Sequence, residues 1–245
     1  MENAQLVTLS RQIALQHQMD VVANNMANIT TTGFKASDLL FEDYLMPVAR
    51  DNDFAGLDRN VHFTQDWTTV HDMSTGSIEQ TGNPLDVALS GNGFLTVETA
   101  GGPRYTRSGS LAIDASGVLV DMSGNAVLGS SGQIKFDDSD IDITIGSDGS
   151  VSTNNGNKGK LAIAEFLDPQ ILAREGDNYF SGPAPDAAVT TRVMQGAIEK
   201  SNVSGVTELT TMIRVQRAYQ SLASLMQKQD DLRNAAIQKL GDIRA

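Results

Sequence analysis

The sequence predicts an α+β fold. Long N- and C-terminal helices form a coiled-coil hairpin, with an inserted, mostly antiparallel β domain and an extended connector leading into it. Three observations predict this. Both ends of the 245-residue chain carry apolar residues mostly at steps of three, four or seven, the spacing of one helical face. The middle alternates short apolar runs with Gly-rich turns, as antiparallel strands require. The stretch after the first helix is rich in aromatics but broken by Pro47, Gly56 and several Asp and Asn, which argues against a long regular element there.

Taken in order, residues 1–33 hold the first helix, read over 3–29. Leu6, Leu9 and Ile13 step by three and four. Leu15, Met19, Val22, Met26 and Ile29 then step by four, three, four and three, the a/d pattern of a coiled-coil seam. Gly33 follows a run of three threonines and is placed to stop the helix. A surface helix packed on its own domain would carry the same stripe; the matching helix at the other terminus favours a pair.

Residues 34–80 form the connector, where Phe41, Tyr44, Leu45, Phe54, Phe63 and Trp67 would dock on neighbouring surfaces. Residues 81–190 read as β. Nine strand-length runs, from Leu85–Leu89 through Ile141–Ile145 to Leu161–Phe166, are separated by turns such as Gly91-Asn92-Gly93 and Asn155-Gly156-Asn157. Residues 191–245 return to the long C-terminal helix. From Gly205 there is no Gly until Gly241 and no Pro, and apolar residues recur at Leu209, Met212, Tyr219, Leu222, Met226, Leu232, Ala236 and Leu240. About 38 helical residues span about 57 Å, against about 40 Å for the first helix. The surplus length calls for partners beyond the chain's own first helix.

Composition narrows the function. Net charge is −12, which disfavours nucleic-acid binding, since that needs a basic field. The acid is concentrated in residues 81–190, with 14 Asp/Glu against 6 Lys/Arg, while residues 199–245 hold 5 against 7. There is no Cys, and no stretch is apolar enough to span a membrane. The first residues lack the basic and apolar regions of a cleaved secretion signal.

No constellation carries catalysis. His17, His62 and His71 have no metal-site spacing. The acidic run from Asp137 to Asp142 lacks the Gly and Glu of a calcium loop. Gly91-Asn92-Gly93 leads into a strand rather than a helix, unlike a dinucleotide loop. The expectation is a non-enzyme with no catalytic residue, metal or cofactor.

Three blocks are specific. The first is Asn24-Asn25-Met26-Ala27-Asn28 with Gly33-Phe34-Lys35. The second is Thr81-Gly82-Asn83-Pro84-Leu85-Asp86, followed by Gly91-Asn92-Gly93-Phe94 and Tyr105-Thr106-Arg107. The third is Gln195-Gly196-Ala197-Ile198-Glu199-Lys200-Ser201-Asn202-Val203, followed by Gln216-Arg217-Ala218-Tyr219. Together they resemble the flagellar axial proteins, the rod and hook subunits of the bacterial flagellum. Met26 stands where the family has Leu, and Gln220 where it has Glu.

Length narrows the resemblance to the proximal-rod type, with the distal-rod type or a hook-type subunit as alternatives. The resemblance implies a structural subunit of the basal-body rod in the periplasmic space. It would assemble helically with copies of itself and with other rod subunits, transmit torque and surround the export channel. It implies passage through the flagellar type III export apparatus without a cleaved signal. The two helical seams would be assembly interfaces. A secreted β-domain adhesin or glycan-binding module is the alternative from another class.

Overall fold

A computed structural model describes residues 2–47, 60–187 and 190–242, with side chains described over 6–42, 68–186 and 190–239. Helix α1 (Glu2–Ala27) opens the chain. Strands β1 (Ser37–Pro47), β2 (Asn60–His71) and β3 (Ile78–Gln80) follow. The body continues with β4 (Val87–Ser90), β5 (Phe94–Thr99), β6 (Gly102–Thr106), β7 (Leu111–Ile113), β8 (Leu119–Asp121), β9 (Ala126–Gly129) and β10 (Gly132–Gln133). Next come β11 (Thr144–Ile145), β12 (Ser150–Thr153), β13 (Gly156–Lys160), β14 (Ile163–Glu165), β15 (Ala173–Glu175) and β16 (Tyr179–Ser181). Strands β17 (Asp186–Ala187), β18 (Arg192–Gln195) and β19 (Ala197–Glu199) lead to α2 (Gly205–Asp242).

The chain forms two compact units. The first comprises residues 1–26, 37–70 and 205–245; the second comprises 27–36 and 71–204. In the second unit the largest sheet runs β15-β16-β6-β5-β9-β8-β7, with β14 also on β5 and β10 on β9. The pairings within it are antiparallel, for example Leu95 opposite Thr106 and Val97 opposite Arg104. Residues 192–199 are part of this unit, because β18 pairs with β4 and β19 with β3.

The alternation of β5 divides the interior. Leu95 and Val97 are fully buried in an aliphatic cluster with Leu89, Leu119, Val127 and Val151. Phe94, on the opposite face, joins Tyr105, Phe166 and Phe180 in an aromatic cluster. Its rings meet edge-on at 4.8 to 5.9 Å, a favoured aromatic geometry. The expected strand Ile141–Ile145 shrinks to Thr144–Ile145, because Asp142 takes a left-handed backbone (φ 56°) that breaks the extended run.

Both terminal helices are present, but the expected coiled-coil hairpin is not. The reason lies in the phase of the apolar steps. Each residue turns a helix by about 100°, so the two-residue step from Ile13 to Leu15 turns it by about 200°. Leu6, Leu9 and Ile13 therefore lie roughly opposite Leu15, Met19, Val22 and Met26. They are 52%, 46% and 48% exposed, whereas Val22 is buried and Leu15, Met19 and Met26 are half-buried. Ile29 falls past the helix end and is exposed.

In α2 the six-residue step from Met226 to Leu232 breaks the stripe in the same way, and Leu232 is exposed. Polar bonds join the helices: Gln12 Nε2 donates to Tyr219 Oη at 2.9 Å, and Asn25 Nδ2 donates to Glu208 Oε1 at 3.3 Å. Among the described residues no interlocked a/d seam forms. The connector residue Phe54 and the side chains of Tyr44, Leu45, His62, Phe63, Trp67 and Leu240 lie outside the described residues.

Candidate functional site

Parts of the three sequence blocks, Gly33–Lys35, Arg107 and Glu199–Asn202, meet in the second unit around a buried ionic cluster. Lys35 and Glu199 are each 1% exposed and Arg107 is 2% exposed. Lys35 Nζ lies 2.6 Å from Glu199 Oε1 and donates to the Ser74 carbonyl at 2.6 Å. The Gly76 amide donates to the same carboxylate oxygen at 2.9 Å. Arg107 Nη1 sits 3.6 Å from Glu199 Oε2 and donates to the Leu89 carbonyl at 3.3 Å. Its Nη2 donates to the Gly91 carbonyl, and its guanidinium lies over the Phe94 ring. Burial pushes the Lys35 ammonium below its ordinary range, and the hydrogen bond and charge of Glu199 oppose that. Arg107 is lowered by burial as well, again opposed by Glu199.

Backbone geometry locks these side chains in place. Gly33 has φ +66°, and its amide donates to the Glu199 carbonyl at 2.7 Å. A Cβ there would stand 2.3 Å from the Arg107 carbonyl carbon, so only glycine allows the approach. A Cβ on Gly76 would meet the Lys200 carbonyl oxygen at 1.9 Å. Asn202 ties the segments together: its Oδ1 accepts from the Ala36 amide at 2.7 Å, and its Nδ2 donates to the Asp72 carbonyl at 2.8 Å. Its own amide donates to the Phe34 carbonyl at 3.3 Å. Phe34 is buried beneath Arg174, whose guanidinium carbon is 4.2 Å from the ring centroid and whose Nη2 donates to the Lys35 carbonyl. Ser201 and Val203 flank Asn202, with Val203 buried.

The second block forms its own capped turn. Asp86 accepts from Thr81 Oγ1 at 2.6 Å and from Asn83 Nδ2 at 3.1 Å. The Leu85 amide donates to Asn83 Oδ1, and the Pro84 carbonyl accepts from Gln195 Nε2 at 2.8 Å. Gly82 (φ +75°) and Gly196 (φ +74°) meet there, the Gly82 amide donating to the Gly196 carbonyl. In the first unit Asn25 is buried and exchanges two hydrogen bonds with the Ser37 backbone, at 2.9 and 3.0 Å. Asn28 accepts from Thr31 Oγ1 at 3.1 Å, past the helix end, and Asn24 is exposed.

The helical residues are spread more widely. Met212, Tyr219, Leu222 and Met226 are half-buried, whereas Leu209 and Ala236 are exposed, as are Gln216 and Arg217. Val215 was missed by the sequence reading, yet it is 3% exposed. It fills the seven-residue gap between Met212 and Tyr219 at steps of three and four, so the signal was there. Arg174 was missed as well, and no local pattern marks it.

The arrangement clamps distant chain segments together. Among the described residues no group of three or more His, Cys, Asp or Glu converges as a metal site. No described helix is long and apolar enough to cross a membrane.

Residues 6–35 match the flagella basal body rod protein family. Residues 88–153 match the D1 domain of the flagellar hook protein FlgE/F/G family, and residues 194–239 match the C-terminal region of the flagellar basal body rod FlgEFG proteins. The chain is 36% identical to the flagellar basal-body rod protein FlgF of Caulobacter vibrioides, over 99% of this chain and 100% of that protein. It is 31% identical to FlgF of Mesorhizobium japonicum, over 98% and 99%. It is also 31% identical to the rod protein FlgG of Bacillus subtilis, over 89% and 91%.

Proposed function

The chain belongs to the flagellar basal-body rod protein family, and we propose that it builds the proximal part of the rod. It is a structural subunit of the flagellum basal body rather than an enzyme. The observation that carries the proximal assignment is the end-to-end match to FlgF proteins, 99% of this chain against 100% of one relative. The match to FlgG covers less of both chains and keeps the distal rod as the second reading.

In this proposal copies assemble helically with one another and with other rod subunits around the export channel. Helices α1 and α2 form the inner tube, strands β1 and β2 the connector, and the β-rich unit of residues 27–36 and 71–204 the outer layer. Leu6, Leu9 and Ile13 on α1, and Val206, Leu209 and Ile213 on α2, support this reading. They are exposed aliphatic side chains on helical faces, and burying each contributes about 1.5–3 kcal/mol. Such contacts join two different faces of the subunit, so they propagate rather than close a dimer. Delivery through the flagellar type III export apparatus to the periplasmic space is part of the same proposal. A deletion strain should be non-motile, with basal bodies that lack a complete proximal rod. Basal bodies with an intact proximal rod in that strain would move the chain to the distal position, and normal motility would overturn the assignment.

A further inference from the structure

We propose that Asn92 is a site of spontaneous deamidation, at which the chain converts asparagine to aspartate and isoaspartate. The sequence holds two Asn-Gly pairs, Asn92-Gly93 and Asn155-Gly156, and both asparagines are exposed. Glycine has no side chain to shield its backbone nitrogen, so that nitrogen can reach the preceding side-chain amide. The structure separates the two pairs by what holds them. Asn155 Nδ2 donates to the Ser139 carbonyl at 3.2 Å, to Ser139 Oγ at 3.1 Å and to Asp140 Oδ1 at 2.9 Å. Gly156 opens β13 and pairs opposite Thr153. Among the described residues no hydrogen bond holds the Asn92 side chain, and Gly93 lies outside the strands, in the turn between β4 and β5.

The chemistry needs only water. The Gly93 nitrogen attacks Asn92 Cγ and forms a new C–N bond. The Cγ–Nδ2 bond breaks, and Nδ2 leaves as ammonia with the proton from the Gly93 amide. Water then opens the cyclic imide at either carbonyl, giving aspartate or isoaspartate. Gly93 is fixed by packing, since a Cβ there would stand 2.6 Å from Ile163 Cγ2. The fold therefore keeps the reactive dipeptide, because it requires glycine at the second position. Isoaspartate adds one carbon to the backbone next to Gly91, whose carbonyl accepts from Arg107 Nη2. Modification at Asn92 thus slackens the clamp on Arg107.

The test holds the purified full-length protein for weeks at mildly alkaline pH, with and without urea. Mass spectrometry of its peptides then resolves the asparagine, aspartate and isoaspartate forms. In the folded chain, deamidation at Asn92 should run several-fold faster than at Asn155. In urea the two rates should converge, because the hydrogen bonds on Asn155 are gone. Equal rates in the folded chain, or a faster Asn155, would overturn the proposal. So would an unchanged rate ratio in urea, which would place the difference in local sequence rather than in the fold. The isoaspartate form, separated by ion exchange, should melt below the unmodified chain; coincident melts would remove the effect on Arg107.

Discussion

Lys35 and Glu199 are separated by 164 residues in sequence and by 2.6 Å in the fold. A buried ion pair is weak evidence of net stabilisation, but breaking one is costly because an uncompensated charge stays behind. Lys35→Met should therefore destabilise the second unit by about 3–5 kcal/mol, and Lys35→Met with Glu199→Leu should recover part of that. Urea unfolding of the four chains checks it; strict additivity of the two losses would show that the pair is not coupled. His71 offers a pH test. Burial, and secondarily the charge of Arg174, lowers its pKa from 6.5 to about 4. The unfolded chain then binds the proton more tightly than the fold does. Its contribution is present in full above about pH 6.5 and lost as pH falls towards 4. Replacing it by His71→Gln should flatten the stability profile over that window. An unchanged slope would assign the acid sensitivity to other groups.

At the scale of elements, the existence of both helices and about half of the nineteen described strands was legible, and their partners were not. Periodicity shows that a stripe exists, and its phase shows where it jumps to another face. The step from Ile13 to Leu15 held that information, yet reading all eight N-terminal positions as one seam overlooked it. The β body was legible from β4 to β9 because Gly-rich turns punctuate short apolar runs. Strand β13, GNKGK, was not, since nothing in its composition favours a strand and only its pairing with β12 makes one. The half-buried Leu222 on α2 supplies the prediction proper to this scale. Leu222→Asp should abolish swimming and rod assembly while the thermal melting of the β body stays unchanged. Motile cells carrying this variant would remove Leu222 from the assembly surface.

At the scale of the whole molecule, the second unit takes in residues 27–36 and 71–204, so its closure needs both flanks of the β body. A fragment spanning residues 27–204 should fold and melt at a higher temperature than one spanning 36–190. The shorter piece loses Lys35, Glu199 and Asn202, and with them the clamp on Arg107. Equal melting temperatures would show the clamp to be dispensable.

The sequence by itself determined the two terminal helices, the short antiparallel strands between them and the family. Those depend on local periodicity, residue type and short ordered blocks. Only the tertiary structure decided that the blocks at 33–35, 105–107 and 199–202 form one buried cluster, and that the terminal stripes lie on different helical faces. Contacts across 164 residues are fixed by how the intervening strands pair and pack, and no local pattern encodes that distance.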